Sequence, residues 1–327
     1  MKGISSSLFA GSLLALAMSV VSAHAQLART FVSSLGDDGN NCNRLTPCRT
    51  FQRAHDATLS LGEITVLDPG GYGAVTINKN ISIINDGVGE AGILVSGGLV
   101  GITINAPADA NISLRGITIK GIGFGGGVGI VFNSGALLSM ERCVVRNLTA
   151  PSPGVLGTGI LFQPDPQGGT SNLSVSDTVV ADNTSSGIYL APRSQGFVHG
   201  VFTRVQSNHN GFDGIAADNR TMGGTAGVFA LLVENSAALF NARAGFETIT
   251  NGNIVQPVIT VIRSVAEGNL SGFLAHGPTG TISVGQSSIQ GNKQTWFGLV
   301  QSFGDNYVFS NFDNDPPPPG GGAVPKK

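Results

Sequence analysis

The sequence predicts an all-β protein wound as a single-stranded parallel β-helix, and three observations carry the prediction. First, Gly followed by an apolar residue and a short extended run recurs as Gly101-Ile102, Gly129-Ile130, Gly159-Ile160, Gly187-Ile188, Gly214-Ile215, Gly245-Phe246, Gly272-Phe273 and Gly298-Leu299. The intervals are 28, 30, 28, 27, 31, 27 and 26 residues, and self-similarity at a nearly fixed period marks a repeat architecture. Second, the later units each carry another β-branched run (LSVSDTVV, FVHGVFTRV, GVFALLVENS, VITVIRS, TISVGQSSI) with an Asn/Gly turn between, which leaves no room for a crossover helix. Third, Gly supplies 48 of 327 residues, about twice the usual ~7%, while charged residues are 12%, about half the usual ~25%. Hairpins would favour two-residue turns and give no reason for such a period. A coil that returns to the same strand each turn, at about 4.8 Å per turn, gives it directly. About nine turns from Ile64 to Phe309 then make a rod roughly 40 Å long.

The elements follow in chain order. Met1 to Ala25 read as a secretory leader: Lys2 is the positive start, Leu8 to Val21 (LFAGSLLALAMSVV) the apolar stretch, and Ala23-His24-Ala25 the small-residue cleavage motif, with Gln26 starting the mature chain. This stretch is shorter than the about 20 residues a membrane span needs, and no later one reaches that length. A secreted or periplasmic location follows. An oxidising compartment lets Cys42 and Cys48, six apart in CNRLTPC, close a small disulfide ring, whereas Cys143 in a strand-like run reads as a buried apolar residue. Residues 26–62 form an N-terminal loop and cap, in which Thr50 to Leu61 reads as an amphipathic helix with Phe51, Ala54 and Leu59 near one face. It would cover the open end of the coil. The β-helix runs over 63–312, with short strands expected at Ile64 to Leu67, Val75 to Ile77 and Ile81 to Ile84 before the Gly register becomes clear. Asn183, Asn208, Asn241, Asn269 and Asn292 precede the Gly marks; Asn turns corners readily, and stacked amides form ladders. Residues 313–327 are a Pro/Gly tail with little to bury and are expected to be disordered.

Composition excludes several classes. With 18 Lys and Arg against 20 Asp and Glu, there is no basic footprint for nucleic acid. A 41% hydrophobic content with a net charge of -2 is not that of a disordered chain, and 15 Pro without a period do not make collagen.

The Gly-Ile and Gly-Phe units with their Asn turns resemble right-handed parallel β-helix repeat proteins of the pectate-lyase-like superfamily, and TFVSSLGDDGNNCNRLTPCRTFQRAHDA resembles the N-terminal cap of secreted bacterial members. The resemblance spans about Phe31 to Phe312. It implies the fold, and the fold hosts lyases, hydrolases, epimerases and adhesins alike. The Asn-Thr-Asp, Gly-His-Gly and Arg-Ile-Lys motifs of polygalacturonase-like members are absent, and Asp37-Asp38 lies in the N-terminal loop, outside the repeat. Pectate-lyase-like members would offer several acids on neighbouring coils for Ca²⁺; Asp218 and Glu247 fall short of the six to eight oxygens it prefers. Asp37, Asp38 and Asn40 make a second, weak calcium candidate, and no cofactor or metal site is assigned.

Strand alternation locates what faces outward. Phe132, Phe162, Leu190, Ala217, Thr248 and Ala275 point inward, and Val131, Leu161, Tyr189, Ala216, Glu247, Leu274 with Asn133, Gln163, Ala191, Asp218, Ile249, His276 face solvent. Asp218, Glu247 and His276 form the candidate catalytic set. The two acids lie one coil and two residues apart, roughly 8 Å between Cα atoms, and carboxyl separations of about 6.5 to 9.5 Å suit an inverting glycosidase. Tyr189 offers a ring for sugar stacking, and Arg193 and Arg220 offer planar donors to uronate carboxylates. His55 and His199 read as cap and strand residues and His209 as a turn residue. A regular scaffold without a convergent charged site points first to a non-catalytic protein presenting its sheet to polysaccharide or a cell-surface glycan. A polysaccharide lyase or glycosidase acting on an acidic glycan is the alternative.

Overall fold

The computed structural model describes residues 26–122, 127–150, 157–223, 227–252 and 255–319; the leader expected over 1–25 and the tail end 320–327 lie outside them. Among the described residues, thirty strands form three sheets of eleven, nine and ten strands. Neighbouring strands pair in parallel, and beyond the N-terminal strand each sheet takes every third strand, so the chain visits the three in turn as a coil does. This is the expected parallel β-helix, with one short helix at its start.

Each coil has three strands where the sequence suggests two. The strand that holds the run FVHGVFTRV, Gly196–Thr203, ends at a corner at Arg204, whose φ is 54°, and a further strand, Gln206–Asn208, follows. Arg142, Asp177, Asn235, Arg263 and Gln286 turn the same corner with φ between 49° and 52°. A non-glycine residue in this region costs roughly 1–2 kcal/mol. The next coil holds it there, because the corner N–H donates to a carbonyl one turn on, as Arg204 does to Glu234 at 3.1 Å and Arg263 to Gly285 at 3.1 Å, or, for Gln286, to the Asp305 carboxylate at 3.1 Å. The corner charges pair along the axis, with Arg204 Nε 2.6 Å from Asp177 and Arg263 Nη2 3.4 Å from Glu234.

The Gly marks sit elsewhere, at the start of the nine-stranded sheet, and what they need is space. A Cβ on Gly159 would lie 2.5 Å from Val180 Cγ1 and 2.6 Å from the Gly187 carbonyl oxygen. Gly101, Gly129, Gly187, Gly214 and Gly245 each likewise abut the carbonyl of the next mark. Gly159→Ala is therefore expected to lower stability by about 1–3 kcal/mol through overpacking, read as a lower urea midpoint at unchanged slope. The eighth mark is a correction. Phe273 pairs with Trp296, so the last coil's counterpart of Gly272 is Thr295, and Gly298 is a left-handed turn residue (φ 77°). Trp296 closes the inward stack, which shortens that coil.

Inside, Phe132 stacks on Phe162 with ring centroids 4.4 Å apart and Phe246 on Phe273 at 5.3 Å, while Leu190, Ala217, Thr248 and Ala275 are buried as expected. Beside this stack the Asn amides form a continuous ladder. Nδ2 of Asn183, Asn210, Asn241, Asn269 and Asn292 each donates to Oδ1 of the next Asn at 3.0 Å, and Asn311 ends the series on Asp315. Asn210, not Asn208, is the rung of its coil.

At the N-terminus, Leu27–Val32 is already a strand, paired with Thr58–Val66, so the eleven-stranded sheet begins ahead of the expected boundary at 63. The helix is shorter than expected, Phe51–Ala57, and Leu59 lies exposed in the strand after it. Thr58 stops the helix: it is extended, and its hydroxyl donates to the Ala54 carbonyl at 2.6 Å. Thr50 accepts from Arg53 N–H as N-cap, and Phe51 packs on Tyr72 over the end of the core. The Cys42–Cys48 disulfide is formed and buried, and Cys143 is buried and free. At the other end order extends past 312. Asp313 accepts from Thr295, and Trp296 Nε1 donates to the Pro316 carbonyl at 2.9 Å, so these first tail residues close over the last coil.

Candidate functional site

The nine-stranded sheet brings most of the candidate residues together in the expected register. Tyr189 pairs with Ala216 and Ala216 with Glu247, while Asp218 pairs with Ile249 and Ile249 with His276. Their environment is not the expected one. The outward face here is largely covered: Glu247, Asp218, Ala216, Ile249, Val131 and Leu161 are all buried, Tyr189, Leu274, Asn133, Gln163 and Ala191 are half-buried, and His276, with its side chain 63% exposed, faces solvent. The cover includes side chains from the turns flanking the strands. Arg220, just after Ile215–Asp218, and Arg243, just before Glu247 in its strand Ala244–Ile249, fold back over the sheet onto its acids.

Asp218 is a fixed anion. Arg220 grips it with Nε at 3.0 Å from both oxygens and Nη2 at 2.7 Å from Oδ2, and the Tyr189 hydroxyl also donates to it. Burial alone would raise its pKa, but the bonds from Arg220 and Tyr189 outweigh burial and hold the carboxyl below its ordinary value. The same contact, added to burial, pushes the Tyr189 hydroxyl well above its usual range.

Glu247 behaves in the opposite way. It neighbours Asp213, a residue the sequence reading passed over; Arg243 contacts both acids, and each carboxyl shifts the protonation of the other. Burial pushes both up, Glu247 to about 9, with the neighbouring Asp213 charge adding to the rise. As two carboxylates, the pair leaves Glu247 Oε2 buried with no donor and Asp213 Oδ1 buried with only the longer Arg243 Nε contact. One shared proton removes that conflict. Arg243 neutralises the remaining charge, with Nη2 donating to Glu247 Oε1 and Nε 3.4 Å from Asp213 Oδ1. Ser186 donates to Asp213 Oδ2 at 3.2 Å, and His276 Nδ1 lies 3.6 Å from Glu247 Oε1.

Both arginines line one pocket of about 230 Å³, with Tyr189, Asp213, Phe212 and the hydroxyl residues Thr158, Ser185 and Ser186. Phe212 is 48% exposed at its rim. Among the described residues both guanidinium groups bind their acids through Nε and Nη2, which leaves Nη1 of Arg220 and of Arg243 without a hydrogen-bond partner. Arg193 does not join them; it is exposed beyond the strand, its backbone N–H on the Pro164 carbonyl. The other loop candidate, Asp37, Asp38 and Asn40, is internally committed. Asp38 accepts from the N–H groups of Arg49 and Thr50 and from the Thr50 hydroxyl, Asp37 accepts from Gly39 N–H, and Asn40 donates to the Pro47 carbonyl. Among the described residues no three His, Cys, Asp or Glu side chains converge to hold a metal ion. His55 is buried in the cap and His209 stacks on Phe240 at a corner, as expected of structural residues.

Asp213 and Arg243 were legible in principle. Asp213 immediately precedes the Gly214 mark, and Arg243-x-Gly245-x-Glu247 sets an Arg and an acid astride the next mark. Reading only residues after the Gly missed both.

No family model matches the chain, and no curated protein sequence matches it. Among solved structures, it is similar to pectate lyase Pel9A, with a TM-score of 0.55 at 16% identity over 86% of this chain and 80% of that one. A GH136 lacto-N-biosidase from Eubacterium ramulus aligns with a TM-score of 0.38 at 10% identity, covering 86% of this chain and 68% of its own. At 16% identity the likeness to Pel9A is one of fold, the parallel β-helix.

Proposed function

We propose that this chain is an exported β-helix protein that binds an acidic polysaccharide or cell-surface glycan without cleaving it, in the pocket on the outer side of the nine-stranded sheet. The observation that carries the reading is the pair Arg220 and Arg243, each anchored by buried acid and each lining the same pocket. Anchored guanidinium groups lose little freedom when they take a carboxylate, and their planar donors suit it. Phe212 offers an exposed ring at the rim for a sugar face, and Thr158, Ser185 and Ser186 offer hydroxyls. The volume, about 230 Å³, is below the ~300 Å³ lower range of drug-sized pockets, which suits one sugar ring better than a length of polymer. Export is supported by the leader-like sequence of residues 1–25 and by the buried Cys42–Cys48 disulfide. The fold shared with a pectate lyase adds a carbohydrate-handling precedent.

Binding without cleavage is favoured because, among the described residues, no free acid and base flank the pocket as a pair. Asp218 is held ionised by Arg220, and Glu247 is fully buried behind Arg243. One observation favours a lyase or glycosidase instead, namely the proton kept by Asp213 and Glu247 above the ordinary carboxyl range.

A single assay separates the two. Protein beginning at Gln26 is titrated with acidic and neutral oligosaccharides, with and without Ca²⁺, and the mixtures are scored for new reducing or unsaturated ends. The expected result is binding to acidic oligosaccharides with no new ends, weakened about tenfold, or ~1.4 kcal/mol, in Phe212→Ala, a substitution at an exposed side chain. Chain cleavage by the purified protein would overturn the non-catalytic reading, and equal affinity for neutral glycans would overturn the acidic one.

A further inference from the structure

We propose that Arg243 and the Asp213–Glu247 pair behind it form an anion-binding site that holds a ligand carboxylate only while the two carboxyl groups share a proton. The proposal rests on the glycan-binding reading above and adds to it a chemical condition on the ligand and a built-in control.

The geometry is that of one guanidinium bridging two neighbouring buried acids at the pocket wall. Glu247 is fully buried, Asp213 is buried at the pocket wall, and Arg243 is partly exposed with Nη1 unpartnered among the described residues. With one proton between them the two acids carry a single negative charge, which Arg243 balances, and the proton adds a donor where Asp213 Oδ1 and Glu247 Oε2 are buried without a hydrogen bond. A ligand carboxylate then meets a neutral ensemble and a free guanidinium edge. Loss of the shared proton leaves two negative charges against one Arg, so that both acids compete with the ligand for the same cation. By linkage the ligand must favour the proton as much as the proton favours the ligand.

The other charged and titratable groups facing the pair are few. His276 Nδ1 approaches Glu247 from the adjacent strand, Ser186 donates to Asp213 from the preceding turn, and the backbone N–H of Ala244 also reaches Asp213. Tyr189, Asp218 and Arg220 form a separate cluster across the pocket, where Tyr189 donates to the already ionised Asp218. Burial pushes both acids of the pair upward, which puts loss of the shared proton on the alkaline side of neutrality.

The test is the affinity for trigalacturonate between pH 6.5 and 9.5, a range in which the sugar carboxylate and the arginines keep their charge. The wild-type protein is expected to bind at least tenfold more weakly at pH 9.5 than at 6.5. Glu247→Gln keeps a donor for Asp213 and an acceptor for Arg243, and it cannot become a second anion. It is expected to hold the pH 6.5 affinity within about threefold across the range. His276→Gln is expected to keep the wild-type slope. Pairwise outcomes are decisive: binding with no slope in the wild type, or the same slope in Glu247→Gln, overturns the proton-gated site and leaves the glycan reading standing. Absence of binding at every pH overturns the glycan reading itself. A readout without ligand stands beside these, an infrared carboxylic-acid band at pH 7 present in wild type and absent in Glu247→Gln; failure to see it sinks the shared proton whatever the sugar does.

Discussion

Asn241→Ala is expected to lower the free energy of unfolding by about 3–5 kcal/mol, the upper end of what one substitution does. The Asn241 amide is buried and fully used: Nδ2 donates to Asn269 Oδ1 and to the Ser207 carbonyl, each at 3.0 Å, and Oδ1 accepts from both N–H and Nδ2 of Asn210. Alanine removes four bonds at once. It strands the buried Asn210 N–H and one acceptor site on the Ser207 carbonyl, at about 1–3 kcal/mol for each group left unsatisfied, and adds a cavity beside Asn269. The coil cannot slide to heal this, because Asn210 above and Asn269 below are fixed to the next rungs of the ladder. Asn172→Ala is the matching control. Asn172 is half-buried on the outer side of the eleven-stranded sheet, with one side-chain bond to Ala136 at 3.1 Å, and its loss should stay within about 0.5–1 kcal/mol. Urea unfolding of the two variants checks the ranking, and equal midpoints would show that the ladder does not bear the load assigned to it.

What the sequence made legible was whatever repeats. The Gly marks, the inward Ile and Phe stack and the Asn turns recur because every coil meets the same neighbours, so a period can be seen without knowing the structure. Features that depend on a single coil were not legible. The left-handed corner at Arg204 has no residue signature, since Arg, Asp, Asn and Gln all occupy it, and only the hydrogen bond from the following coil makes it affordable. Gly298 has the local look of a ninth-turn mark, yet Trp296 pairs with Phe273 and takes the buried position. The candidate site divides in the same way. Strand alternation placed Tyr189, Asp218, Glu247 and His276 on one face in the right register. It gave no means of seeing that Arg220 and Arg243 would fold back from the turns and bury that face, because side-chain direction in a turn has no period. The consequence is chemical: two acids expected to stand in solvent as an acid and base pair are instead a fixed anion and half of a proton-sharing pair.

Those two states should be visible in stability against pH. Glu247 and Asp213 have folded pKa values raised by burial, so the folded chain holds more protons than the unfolded one between about 4.5 and about 9. Their contribution is therefore fully present at low pH and is lost as pH rises toward about 9. Asp218 and Asp68 have lowered values, so their contribution is present above the ordinary carboxyl range and is lost on acidification. Buried His55, also lowered, acts in the same direction up to its unfolded value of 6.5. Stability is therefore expected to rise with pH up to the ordinary carboxyl range and then to fall through the pair's window, offset in part by His55 up to pH 6.5 and unopposed from about pH 7 to pH 9, by no more than about 1.4 kcal/mol per unit for one proton. Glu247→Gln removes the titrating member of the pair while keeping an amide in its place, so stability should be flat between pH 7 and 9 and fall less between about pH 4.5 and 7 than in the wild type. Urea midpoints at pH 5, 6, 7, 8 and 9 for the two proteins measure this. An alkaline slope that survives in Glu247→Gln would place the proton on some other group and remove the physical basis for a shared one.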